Sequence, residues 1–174
     1  RRDGSGRIVA IEGPDRQPVR YDYDAAGDLV THHDRAGYQT RFTYSGGHYL
    51  EEIIDPRGVR AIRNEYDAQG RLVAQIGPNG ERIEVERNLE SRTEIVRDAR
   101  GNATVYLYDE RGNVVSETNP LGETVLRSYD SRDNLLSQTD PLGNTTTWTY
   151  DARGNRLTET DPLGRTTTWT YNAR

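Results

Sequence analysis

An all-β chain of tandem hairpins, joined into one curved antiparallel sheet, is what this sequence predicts, and three observations predict it. A 21-residue pattern recurs along the chain, so that the stretch from Tyr150 to Thr170 is answered by a new copy opening at Tyr171. Two turn signals divide each copy: Asp151-Ala152-Arg153-Gly154 and Asp161-Pro162-Leu163-Gly164 both place Asp at the first corner and Gly at the fourth. Those are type I turn preferences, and Pro162 stands where its fixed φ is already correct. Between the turns lie Asn155 to Thr160 and Arg165 to Tyr171, rich in Thr, aromatic and β-branched residues and too short to be helices. One repeat is therefore one β-hairpin.

Composition bounds what such a chain can do. Of 174 residues only 32% are hydrophobic and 29% are charged, too little apolar material for an ordinary globular core. The fixed period of the β-formers points instead to an array whose thin apolar stripe is covered by neighbouring repeats. The absence of Cys excludes a disulfide, a thiolate metal centre and a Cys nucleophile. No run approaches the ~18 apolar residues needed to span a bilayer. A net charge of -5 with both signs interspersed argues against nucleic acid as a partner.

The column led by the repeat tyrosine runs Arg2, Tyr23, Tyr44, Tyr66, Arg87, Tyr108, Tyr129, Tyr150 and Tyr171, in steps of 21 with one of 22. Four residues later comes the first-turn position, held by Gly6, Gly27, His48, Gly70, Ser91, Gly112, Asp133 and Gly154. Apolar residues then open the first strand, often as pairs such as Leu29-Val30, Leu72-Val73, Val114-Val115 and Leu135-Leu136. The second turn begins at Gly13, Asp34, Asp55, Gly77, Asp98, Asn119, Asp140 and Asp161. It closes at Arg16, Gly37, Gly58, Gly80, Gly101, Gly122, Gly143 and Gly164. Two residues before the tyrosine stand Tyr21, Phe42, Asn64, Val85, Tyr106, Arg127, Trp148 and Trp169, on the same strand face as the tyrosines. Stacked aromatic and aliphatic ladders are expected along this face, broken at Asn64 and Arg127. The step of 22 places a surplus residue within Val59 to Glu65, read as a β-bulge that keeps Tyr66 on its proper face. The turn around Arg87 to Ser91 is the least regular, and the chain stops at Tyr171-Asn172-Ala173-Arg174, within a turn, as expected of a segment of a longer array.

Tyr-Asp-x-x-Gly-x-Leu at this spacing, alternating with Asp-Pro-Leu-Gly, resembles the YD repeats of the Rhs family, and the resemblance covers essentially the whole chain as about eight in-phase units, read as a single array over 1–174. It implies a large bacterial protein that is secreted, displayed at the cell surface or delivered by a secretion system. In that family the repeats form a spiralling β-shell that commonly encloses a variable C-terminal toxin domain, as in polymorphic toxins and the C component of insecticidal toxin complexes; teneurins carry a related shell. The partners implied are the remaining repeats and the C-terminal cargo domain of the same parent. Geometry allows this: about sixteen strands at ~4.8 Å make a ribbon roughly 75 Å long, which twist should coil. Such a ribbon lines only about half a turn around a domain of ~130 residues. Unpaired edges of an isolated segment should invite edge-to-edge self-association.

The residues expected to matter are structural: Gly122, Gly143 and Gly164 for turn geometry, Tyr23, Tyr44, Tyr66, Tyr108, Tyr129, Tyr150 and Tyr171 with Trp148 and Trp169 for the ladder. No catalytic, cofactor-binding or metal-binding residue is expected, and the chain reads as a non-enzyme. Competing readings are weaker. The turn carboxylates could gather calcium, but Asp at a first corner ordinarily binds its own backbone amides, and the Gly-rich nonapeptide pattern is absent. Asp140-Pro141-Leu142-Gly143 and Asp161-Pro162-Leu163-Gly164 resemble the element where Rhs cores self-cleave through aspartates, yet both sit in phase with ordinary repeats. His32, His33 and His48 lack any accompanying helical metal motif or nucleophile elbow. Trp148, Trp169, Tyr150 and Tyr171 could form a platform for sugar rings, the basis of an alternative reading as an adhesion or carbohydrate-binding module.

Overall fold

The computed structural model describes residues 1–14 and 17–172, so Arg16, the second-turn position without glycine, lies outside the described residues. All regular structure among them is β: sixteen strands. They fall into two compact units, 1–84 and 85–174. The first holds β1 (Ala10–Glu12), β2 (Pro18–Tyr23), β3 (Leu29–His33), β4 (Gln39–Ser45), β5 (Tyr49–Ile54), β6 (Arg60–Tyr66), β7 (Leu72–Ile76) and the start of β8 (Arg82–Asn88). The second holds the rest of β8, then β9 (Thr93–Arg97), β10 (Ala103–Tyr108), β11 (Val114–Thr118), β12 (Thr124–Tyr129), β13 (Leu135–Thr139), β14 (Thr145–Tyr150), β15 (Arg156–Thr160) and β16 (Thr166–Thr168). Within each unit the strands pair antiparallel with their chain neighbours, as tandem hairpins must.

The turns explain this regularity. At Asp140 the N–H of Gly143 donates to the Asp140 carbonyl at 3.0 Å, and the Asp140 N–H donates to the Asn144 carbonyl at 2.9 Å. This is a type I turn followed by a left-handed residue, which returns the chain into the antiparallel partner. Gly143 has φ 85°, a conformation that a Cβ disfavours by about 1–2 kcal/mol. Where glycine is missing from the first-turn column the conformation survives: His48 sits at φ 66° and Asp133 at φ 64°. In the irregular turn after Asn88 the left-handed residue slips one place, from Ser91 to Arg92 at φ 53°. Arg92→Gly should therefore relieve about 1 kcal/mol of backbone strain and raise the midpoint of thermal unfolding; a lowered midpoint in calorimetry would refute this.

Register carries two kinds of bulge. The expected one lies in β6, where Ile53 pairs with Ile62 and Ile54 with Arg60, leaving Ala61 as the surplus residue. The other recurs beside the tyrosines and was not anticipated. Thr149 pairs with Thr158 but Tyr150 with Arg156, so Arg156 and Leu157 both oppose one tyrosine. The same shift occurs at Tyr23, Tyr44, Tyr66, Tyr108 and Tyr129. Paired apolar residues such as Leu72-Val73 and Val114-Val115 thus have a reason: two residues on the bulged strand meet one ring.

Side-chain burial is shallow throughout the described residues. No large side chain is fully buried, and the residues classed as buried are Ala10, Thr31 and Ala74. Ala74 is 0% exposed because its cross-strand neighbours Glu65 and Glu84 are both bridged by Arg82, each at 2.8 Å. In the second unit the face opposite the tryptophans carries hydroxyl pairs, Thr139 with Thr145 at 2.8 Å and Thr149 with Thr158 at 2.7 Å. Cross-strand pairs, each worth about 0.2–1 kcal/mol, are the unit of stability here.

Candidate functional site

The chemistry of this chain is concentrated at the tyrosine of each repeat and at the two turns. Each repeat tyrosine except Tyr108, whose N–H still donates to the Arg92 carbonyl at 2.9 Å, stands where the ladder to its preceding strand has ended. β13 and β14 pair from Thr139↔Thr145 to Ser137↔Thr147 and no further, which leaves the Leu135 carbonyl beyond the last rung. The Tyr150 hydroxyl reaches across and donates to it at 2.9 Å. Tyr23 does the same to Ile8 at 2.9 Å, Tyr129 to Val114 at 3.2 Å and Tyr171 to Arg156 at 2.8 Å, all over fifteen residues. Tyr66 spans the bulged repeat, sixteen residues back to Leu50, at 2.7 Å. A backbone acceptor left open by strand splay is thereby satisfied, and one hairpin is strapped to the one before it. Tyr108 differs: its hydroxyl donates to Glu94 Oε1 at 3.3 Å. Tyr44 pairs opposite Leu50, and its pKa is raised first by burial and then by the nearby charge of Asp28.

Among the described residues, the tyrosines of successive repeats do not stack on one another. Ring contacts among the described residues are Tyr21 with His32, centroids 5.5 Å apart, and Tyr49 with Tyr66, 5.1 Å apart. Tyrosines of successive repeats lie two strands apart, roughly 9.6 Å, too far for direct stacking. The tryptophans are bridged instead: the Arg156 guanidinium lies 5.9 Å from the Trp148 ring and 5.7 Å from that of Trp169. Arg156 is also held by Glu159 at 2.8 Å, and Trp148 Nε1 donates to the same carboxylate at 2.9 Å. At the expected breaks polar contacts replace the rings. Asn64 Nδ2 donates to the Leu50 carbonyl at 2.9 Å, and Arg127 Nη2 donates to Glu117 at 2.9 Å.

In the turns the aspartates act as clamps. Asp140 Oδ1 accepts from the N–H groups of Leu142 and Asn144 at 2.9 and 2.8 Å, while Oδ2 accepts from Asn144 Nδ2 at 2.8 Å. Asp161 repeats the pattern with Leu163 and Arg165. Asn119 makes both backbone bonds with an amide oxygen, at 2.9 and 3.0 Å, so the clamp requires an acceptor rather than a charge. Gly122 and Gly164 close their turns at φ 81°, as Gly143 does at 85°. The histidines do not converge: His33 Nε2 lies 3.1 Å from Asp22, His48 Nδ1 lies 2.7 Å from Asp28, and His32 packs on Tyr21.

These clamps depress the carboxylate pKa values. Asn113, through its side-chain and then its backbone N–H, lowers Asp109 to about 2. Asp98, Asp130, Asp140 and Asp151 are lowered in the same direction, each first by the asparagine four residues on. A depressed folded pKa contributes stability that is present above the unfolded value, about 3.9, and is lost as pH falls through the folded value. The midpoint of thermal unfolding should therefore be level near neutrality and fall between about pH 4 and pH 2. A flat profile across that interval would show that the clamps persist in the unfolded chain.

The RHS Repeat family model matches residues 2–37, 23–60, 92–124 and 129–166, more than half of the chain. The chain belongs to the RHS-repeat family. Solved structures carry the same fold. A Tc holotoxin pore of Photorhabdus luminescens matches with TM-score 0.66 and 22% identity over 90% of this chain and 10% of that one. A crystal structure of TcdB2–TccC3 matches with TM-score 0.67 and 19% identity over 96% of this chain and 12% of that one. A third, TcdB2–TccC3 without its hypervariable C-terminal region, matches with TM-score 0.64 and 21% identity over 87% and 10%. The RHS repeats described here thus span about a tenth of the length of these neighbours. They form a repeat region whose fold matches that of these Tc toxin structures.

Proposed function

We propose that these RHS repeats act as a single array forming part of the wall of a shell, and that the shell sequesters a C-terminal toxin or effector domain of the same, longer bacterial protein until its delivery outside the producing cell. The observation that carries this reading is the strap: the tyrosine hydroxyls of Tyr23, Tyr66, Tyr129, Tyr150 and Tyr171 tie successive hairpins within each unit at a nearly constant interval. A device repeated at that interval extends a sheet by addition of identical units, which is what a wall requires and what a localised catalytic site does not. Both carboxylate oxygens of Asp98, Asp109, Asp130, Asp140, Asp151 and Asp161 are engaged by donors of their own turns, which favours a scaffolding role for these acids over metal capture or aspartyl self-cleavage within these repeats. One similar structure is described as being without a hypervariable C-terminal region, which supports a variable cargo at that end of the parent.

Limited proteolysis of the full-length parent tests the proposal. The C-terminal domain should resist added protease in the intact protein and become sensitive when Tyr129, Tyr150 and Tyr171 are changed together to Ala. A C-terminal domain digested equally fast in both proteins would exclude enclosure. Recovery of the parent solely inside producing cells under conditions that induce secretion would exclude delivery.

A further inference from the structure

We propose that the row of Pro-Leu turns in the second unit is a self-association surface, occupied by the same row of a second copy of this chain in antiparallel register. Leu121, Leu142 and Leu163 occupy the third position of successive second turns and are 84%, 87% and 78% exposed. The turn itself does not require leucine there. Arg57 and Arg100 hold the same position and donate the same N–H bond to Asp55 and Asp98, each at 2.9 Å. The three leucines recur two strands apart, roughly every 9.6 Å, so an apolar row is displayed along one rim with nothing in the unit covering it.

The occupant follows from spacing and charge. A partner must match three apolar knobs at this interval, and an identical row does so rung for rung. The opposite rim of the unit cannot serve, because Arg111, Arg132 and Arg153 stand at the corresponding position of the first turns. Seating leucines there would strip water from guanidinium groups. A same-rim contact is also isologous and closes as a two-fold dimer. Its register is set by the residues that follow each turn: Glu123, Asn144 and Arg165. Antiparallel docking about Leu142 puts Leu121 on the second copy's Leu163 and Glu123 opposite the second copy's Arg165, with Asn144 meeting its counterpart. Arg165 is 76% exposed while bonded to Asp161, and parallel docking would set Glu123 against Glu123. Three turns cover a few hundred Å² per partner, below the roughly 800 Å² of a stable complex, so the dimer is weak and concentration-dependent. This inference does not depend on the shell reading.

The chain has no Cys, so single cysteines report the contact directly. Under mild oxidation at high protein concentration L142C should cross-link to itself. L121C and L163C should cross-link poorly alone and well when mixed. In sedimentation the wild-type chain should dimerise as concentration rises, and L121S/L142S/L163S should stay monomeric with an unchanged circular dichroism spectrum. E123R should weaken the dimer, with E123R/R165E restoring it. A dimer that survives in the triple serine variant would overturn the proposal and assign association to the strand edges. A monomeric wild type near millimolar concentration, or L121C alone cross-linking as well as the mixture, would overturn it equally.

Discussion

Gly70→Ala is expected to destabilise the first unit by about 2–3 kcal/mol, more than the same change at Gly143, which should cost about 1–2 kcal/mol. Both residues are left-handed, at φ 76° and 85°, so both substitutions incur the backbone strain of a side chain in that region. The surroundings separate them. A Cβ at Gly143 meets nothing within 4 Å, whereas one at Gly70 would lie 2.0 Å from the Tyr49 hydroxyl oxygen and 2.2 Å from its Cζ. The Tyr49 ring must then leave its contact with Tyr66. Gly77 supplies the control: its φ is not left-handed, and its Cβ would meet only the flexible end of Glu81, at 2.2 Å. Gly77→Ala should be the mildest of the three. Chemical denaturation of the three variants gives the ranking, and equal losses at all three positions would contradict the account of the turns.

Tyr150→Phe is expected to cost about 1 kcal/mol, because it leaves the Leu135 carbonyl without its donor. Tyr150→Ala should cost about 2–3 kcal/mol, since the half-buried ring opposite Arg156 and Leu157 is lost as well. The comparison with Tyr171 is informative. Its hydroxyl makes the equivalent bond to Arg156 at 2.8 Å, but the residue is 50% exposed, and water can replace the lost donor. Tyr171→Phe should therefore change stability by less than about 0.5 kcal/mol. Calorimetry on the three variants reads this directly. If Tyr150→Phe matched wild type while Tyr150→Ala remained costly, the ring and not the hydroxyl strap would join the hairpins.

By itself the sequence determined the all-β class, the 21-residue hairpin, the position of both turns and the bulge in β6 that absorbs one extra residue. These were legible because a turn is encoded within four or five consecutive residues: Asp140 clamps amides two and four places ahead, and Gly143 supplies the conformation that closes the loop. The alternation of strand residues likewise follows from chain geometry alone, so the shared face of Trp148 and Tyr150 could be read directly. What joins one hairpin to the next was decided only by the tertiary structure. Tyr23, Tyr66, Tyr129, Tyr150 and Tyr171, expected to stack, instead donate hydroxyls to carbonyls fifteen or sixteen residues back, two residues rather than one oppose the repeat tyrosines from Tyr23 to Tyr150, Arg156 sits between two tryptophans, and Arg82 roofs Ala74 by bridging two glutamates. Each of these depends on register and splay between strands, which bring distant residues within a few ångströms of one another. No local pattern contains that distance, because it is set by the twist and bulges accumulated across a hairpin.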